Sequence, residues 1–107
     1  TTDEYDVLST YLGGNLVAGG KMKETGTDHW NSPNTGATND SGFTALPAGY
    51  RSTIGGSYSG LSILAYFWSS TANSSSADFS ELRSNDTLYR RTLSKAYGFS
   101  IRCLKDY

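Results

Sequence analysis

Two short runs, Ala65-Tyr66-Phe67-Trp68-Ser69-Ser70-Thr71 and Gly98-Phe99-Ser100-Ile101-Arg102-Cys103, limit the folds open to this chain more than any other feature. Both are dense in aromatic and β-branched residues, and glycine, serine and asparagine flank them. Runs of that kind form central strands fixed between irregular loops. With 107 residues there is room for one domain, so the remaining elements must pack on the sheet that these strands define.

Composition says how such a sheet is covered. Hydrophobic residues make up only 36% of the chain and aromatic residues 13%, with eight tyrosines and twelve glycines against two prolines. This describes a loop-rich domain held by aromatic packing. Tyrosine, serine and asparagine are also the residues binding loops use for rigid contact area and adaptable hydrogen bonds. Formal net charge is −1 and no basic run exceeds Arg90-Arg91, which argues against a nucleic-acid partner. No apolar stretch approaches a membrane span. The opening residues are polar and carry no signal peptide; the start reads as a cut edge. Cys103 is the one cysteine. It reads either as a buried apolar thiol or as half of a disulfide completed outside this sequence, and no polar constellation activates it as a nucleophile.

Taken in order, Thr2 reads as the N-cap of a helix with acidic residues in its first turn. Tyr5, Leu8, Tyr11 and Leu12 form its apolar stripe and Gly13-Gly14 its end. Leu16 to Gly20 suggests one further turn, followed by a short strand at Lys21-Met22-Lys23. Residues 24–42 are a long polar loop in which Trp30 is the one large apolar side chain. Trp30 either pins the loop to the body or offers a platform to a ligand. Pro47 marks an edge or bend. Ala77 to Arg83 and Leu88 to Leu93, joined by Ser84-Asn85-Asp86-Thr87, read as a β-hairpin.

Chemistry-bearing motifs are few. The glycine-rich stretch Ile54 to Gly60 lacks the context and the lysine of a phosphate loop. Asp28, Asn31, Asn34, Asn39 and Asp40 are hard oxygen donors that could cage calcium. Their spacing does not match the EF-hand loop, and Asx-turns explain the same residues. His29 has no second histidine and no triad pattern. No cofactor is implied, and an enzyme is not expected.

Several runs together resemble a known family: Ala18 to Lys23, His29-Trp30, Gly42 to Arg51, Tyr66 to Thr71, Lys95, and Gly98 to Asp106. In order and spacing they are similar to the Fibrobacter succinogenes major paralogous domain family (FISUMP) along essentially the whole chain. The resemblance implies an α+β, C-type-lectin-like fold, with one or two helices packed on a twisted antiparallel sheet under long loops. It implies a single domain over 1–107 that lacks an upstream, cysteine-bearing segment, and a secreted or cell-surface bacterial protein. Formylglycine-generating enzymes are thought to share the fold, but their paired cysteines are absent from this sequence. The calcium-binding triplets of true lectins are also missing, because Ser32-Pro33-Asn34 and Trp68-Ser69-Ser70 carry no carboxylate.

The function this implies is a non-catalytic, adhesin-like module for glycan or protein ligands; the alternative is a structural or assembly module. In retroelement-diversified relatives the segment before the last strand carries the ligand contacts. The corresponding expectation here is a binding face formed by Asp78, Glu81, Tyr89, Arg91 and Tyr97 together with the loop around Trp30. Trp68 is expected in the core, and Arg102 on a carboxylate such as Asp106 or Glu81, or on loop carbonyls.

Overall fold

The structure, a computed structural model, describes residues 1–105. Helix α1 spans Thr2–Tyr11. Its cap is Thr1, one residue earlier than the sequence suggests. The Thr1 hydroxyl accepts from the Glu4 backbone N–H at 3.2 Å and the Glu4 carboxylate accepts from the Thr1 amino group at 2.7 Å, closing a capping box. Gly13 and Gly14, at φ +105° and +101°, turn the chain out of the helix. Leu12 is buried, and Tyr5 and Leu8 pack against the core. Tyr11 does not join them and is 85% exposed. Six residues beyond Tyr5, it is rotated by about 240° around the helix.

Helix α2, Asn15–Met22, is longer than the single turn expected, and it occupies the start of the strand expected at 21–23. Ala18 and Met22, four apart and both fully buried, decide this by placing one helical face in the core. Only Lys23 keeps an extended role, as an isolated bridge to Ala45. The helix lies with its backbone against neighbouring loops. A Cβ on Gly19 would sit 2.4 Å from the Thr87 carbonyl oxygen, and one on Gly20 would sit 2.4 Å from that of Gly36.

Strands β1 (Tyr50–Arg51) and β2 (Tyr58–Ser59) form a short ribbon. Strands β3 (Ala65–Ala72), β4 (Ser76–Leu82) and β5 (Leu88–Ser94) form an antiparallel sheet in that order. The β3–β4 ladder shifts register between Trp68 and Ala72. There the Ser69 hydroxyl accepts from the Thr71 N–H, and the Thr71 hydroxyl accepts from the Thr2 N–H at 2.8 Å. The β4–β5 hairpin turns on Asn85, whose side-chain oxygen accepts from the Thr87 N–H. The expected final strand does not form. Gly98 bridges Arg51 and Ser100 bridges Phe67, and no regular structure follows through Lys105.

Ala65, Phe67, Leu82 and Leu88 face the helices and build the core with Leu12, Ala18, Met22, Trp30 and Ala45. The architecture is α+β, as the family resemblance implies. Trp30 is 0% exposed and its Nε1–H donates to the Ala45 carbonyl at 2.9 Å. It therefore anchors the long loop and offers no surface to a ligand. Asn34 tightens the same loop by donating from Nδ2 to the Glu24 and Gly26 carbonyls. Asn39 accepts from the Thr44 N–H at 2.8 Å. Turn chemistry thus occupies Asn39 and the Asn34 Nδ2 group, and among the described residues no cluster of three or more His, Cys, Asp or Glu is placed to hold a metal. No helix among them is long and apolar enough to cross a membrane.

Lys23 is the hub where α2, the long loop and the hairpin turn meet. It is fully buried, donates from Nζ to the Thr35 and Asn85 carbonyls at 3.0 and 2.9 Å, and lies over the Trp30 ring. Burial pulls its pKa down from 10.5 to about 8, against the opposing pull of Asp86. The unfolded chain then holds more protons than the folded one between pH 8 and 10.5, so this group makes stability rise with pH across that window. Tyr66 acts in the opposite sense above pH 10, because its pKa is raised from 10.0 to about 12. Urea midpoints measured from pH 7 to 10 should therefore rise in the native protein relative to Lys23→Met. Parallel profiles for the two proteins would mean that Lys23 carries no such shift.

Candidate functional site

Alternation along the hairpin sorts the candidate residues by face. Glu81 pairs with Tyr89 and Tyr66, and Phe79 pairs with Arg91 and Trp68. These positions point away from the helices, since the intervening Phe67 and Leu82 are core. The outer face carries an aromatic cluster. Tyr50 stacks on Tyr66 with centroids 5.1 Å apart, Phe99 lies 4.1 Å from Trp68 and 4.7 Å from Phe79, and Tyr97 contacts Tyr50 and Phe99. Trp68 thus belongs to this second cluster and is only half-buried, not part of the main core.

Beside the rings sits a charged pincer. Glu81 is 2% exposed. One of its oxygens takes the Nε–H of Arg83, and the other lies 3.2 Å from the Nε of Arg91. Both guanidinium groups also sit on the Tyr89 ring, at 4.3 and 5.5 Å from its centroid. The Tyr89 hydroxyl is held by Asn85 at 2.9 Å. The Glu81 carboxylate reaches on to Tyr66, where burial first and then this negative charge push the phenol up to about 12. Tyr66 stays protonated at any physiological pH.

Of the six residues expected at the site, Tyr89, Arg91 and Tyr97 share this face and present surface to solvent. Glu81 shares it but is buried, so it orients the arginines and does not meet a ligand itself. Trp30 is in the core. Asp78 is on the opposite face, one position out of phase with Phe79, where it accepts from the Thr2 and Thr92 hydroxyls at 2.8 and 2.7 Å. Those bonds hold its carboxyl below the usual range. Arg83, Tyr50 and Tyr66 are part of the arrangement and had not been singled out. For Arg83 the signal was present, since Phe79, Glu81 and Arg83 alternate along one run.

A second feature is an apolar groove of about 910 Å³ between α1, the turn at 41–43, the end of β3 and residues 101–104. Val7, Tyr11, Ile101 and Leu104 line it and are all mostly exposed, and Cys103 opens into it with a free thiol. The thiol is not in a core strand as one reading of the sequence had it. Arg102 stacks on Phe43 and donates from Nη1 to its carbonyl at 2.6 Å, which is the loop-carbonyl alternative. Asp106 lies outside the described residues.

Together these features define a small α+β domain whose sheet turns an aromatic and guanidinium-bearing face outward beneath its loops. The chain belongs to the Fibrobacter succinogenes major domain family, whose model matches residues 1–105. No curated protein and no solved structure matches it.

Proposed function

We propose that this domain is a non-catalytic, adhesin-like module, displayed on a bacterial cell surface, that holds a glycan or protein ligand against the outer face of β4 and β5. The observation that carries the reading is the pincer beside the rings. Arginine and tyrosine are the residues most able to anchor an interface, and here they are already oriented by a buried carboxylate, which lowers the ordering cost of binding. The C-type-lectin-like reading fits this design of long loops over a fixed sheet. Binding should be measured on glycan and matrix-protein arrays, with calcium and with chelator. Tyr89→Ala, Arg91→Ala and Tyr97→Ala should each abolish a hit while leaving the melting temperature within a few degrees, since each side chain is at least partly solvated. A collapse of stability in all three would make these residues structural and remove the site.

A second reading, an assembly module, is favoured by one observation. The backbone groups of Ile101–Lys105 make no backbone hydrogen bond among the described residues, and Ile101 to Leu104 border the apolar groove. An unpaired edge is a template for strand addition. A second copy pairing antiparallel along this segment would set its Cys103 opposite the first. Sedimentation equilibrium over a hundredfold range of concentration decides it: a single monomeric mass at every concentration rules out self-pairing.

A further inference from the structure

We propose that the ligand of the outer face is an acidic saccharide, whose carboxylate or sulfate oxyanion is received by the paired forks of Arg83 and Arg91. The inference rests on the binding reading above and names the chemistry of that same site. Three features lead to it.

The first is donor inventory. Each guanidinium has five N–H donors in a rigid fork. Arg83 donates from Nε to Glu81, Arg91 pairs with it through Nε at 3.2 Å, and the Nη groups of both donate no hydrogen bond among the described residues. The side chains are 40% and 48% exposed, against 2% for the carboxylate they share. The buried partner fixes the forks and leaves their outer edges to solvent. Two parallel N–H groups on a fixed plane match the two oxygens of a carboxylate, or two of a sulfate ester.

The second is charge. Two cations against one carboxylate leave the pincer one positive charge in excess, within a protein of net charge −1. Glu81 is nearly inaccessible, so an approaching anion meets the guanidinium edges and not the carboxylate. A cationic or neutral ligand gains nothing from that excess.

The third separates a sugar from an acidic peptide. Next to the pincer, through Tyr66, lie the rings of Tyr50 and Tyr97, both partly solvent-facing. Flat apolar rings bordering an anion receptor suit a ligand that presents a C–H face a few ångströms from its acid group, as a uronic acid or sulfated pyranose does. An acidic peptide has no such obligatory face, and for it the rings would add little.

The test is isothermal titration of the whole domain with polygalacturonate, dextran sulfate, unmodified dextran and poly-glutamate. Saturable binding to one or both acidic polysaccharides is expected, weakening as salt is raised, with none to dextran and none to poly-glutamate. The two acidic polymers distinguish carboxylate from sulfate. Arg91→Lys keeps the charge but loses the fork, and should weaken binding about tenfold. Glu81→Gln is the sharper variant. It makes the site more positive but frees both guanidiniums, so fixed forks predict binding weaker by about tenfold whereas bulk charge predicts tighter binding. Circular dichroism confirms that each variant is folded.

Tighter binding by Glu81→Gln, equal binding of poly-glutamate, equal binding of dextran, or silence toward both acidic polysaccharides would each overturn the inference. A neutral-glycan or protein hit on the arrays that Tyr97→Ala abolishes would still uphold the outer-face binding reading. The two can therefore fail separately.

Discussion

Trp30→Ala should lower the free energy of unfolding by about 3–5 kcal/mol, the largest loss expected from any single side chain in this domain. Trp30 is completely buried and touches the core that α1, α2 and the inner sheet face share. Truncation removes an entire indole from the buried cluster that also holds Met22, Ala45 and Phe67, and the surrounding long loop has few apolar groups with which to close the space. It also removes the indole hydrogen bond to the Ala45 carbonyl, which keeps its bond from the Glu24 N–H, a further loss of about 1 kcal/mol. For a domain whose total stability is expected at about 5–15 kcal/mol, this loss is enough to populate unfolded molecules at ordinary temperature. Urea denaturation followed by tryptophan fluorescence reports it, since Trp68 remains as the probe. Trp30→Phe should recover more than half of the loss, because it restores most of the buried area but not the N–H donor. A Trp30→Ala protein with an unchanged midpoint would mean that the loop is held without its anchor.

Gly20→Ala sets two effects against each other. Alanine is preferred to glycine inside a helix by about 1 kcal/mol, so the change would stabilise α2 in isolation. In the folded domain, however, Gly20 is clasped from two sides. Its N–H donates to the Asp86 carbonyl at 3.0 Å and its own carbonyl accepts from the Thr38 N–H at 3.0 Å. An added Cβ would meet the Gly36 carbonyl oxygen at 2.4 Å and its carbon at 2.8 Å. Those are backbone atoms, and Gly36 is itself backed by the Asp86 side chain, so relief requires the helix, the loop and the hairpin turn to separate together. The net effect expected is a loss of about 1–3 kcal/mol, read as a lower urea midpoint. Thr10→Ala, at an exposed position of α1, controls for helix preference alone and should be neutral or slightly stabilising. A Gly20→Ala midpoint at or above the native value would show that the three elements separate at no cost.

Local signals located most of the architecture. Asn85 and Thr87 bracket a turn between two alternating runs, and those runs became β4 and β5. Aromatic density marked β3. Thr2 as the expected cap, with Gly13-Gly14 beyond, bounded α1 to within a residue. Where the reading failed, a tertiary contact outweighed local preference. Lys21-Met22-Lys23 has no strong leaning of its own, and the fit of Met22 into the core drew it into α2. Gly98 to Cys103 looks like a strand in isolation, but a strand needs a partner along its length. β3 gives it hydrogen bonds only at Ser100, and beyond that point the segment borders the groove.

The candidate site divides in the same way. Tyr89, Arg91 and Tyr97 could be proposed from residue type and position in the hairpin. Asp78 fell to the wrong face because a shift of one residue in a strand reverses every side chain, and only the pairing register fixes that phase. Glu81 and Trp30 were named for their chemistry, but burial, which sequence does not state, changed what that chemistry can do. Tyr50 and Tyr66 are sixteen positions apart, and only the fold stacks them.

The order and spacing of several runs identified the family, and with it the α+β class. Local signals determined the aromatic strand β3, the long polar loops, the ends of α1 and the hairpin. These follow from the period-two and 3.6-residue patterns, the capping side chains and the turn residues, all of which act within a few positions. The tertiary structure alone decided which face of the hairpin is outward, that one buried carboxylate holds two arginines, and that α2 requires bare glycine where three elements meet. Those outcomes depend on groups distant in the chain arriving at distances of a few ångströms, where steric exclusion and low-dielectric electrostatics are strongest.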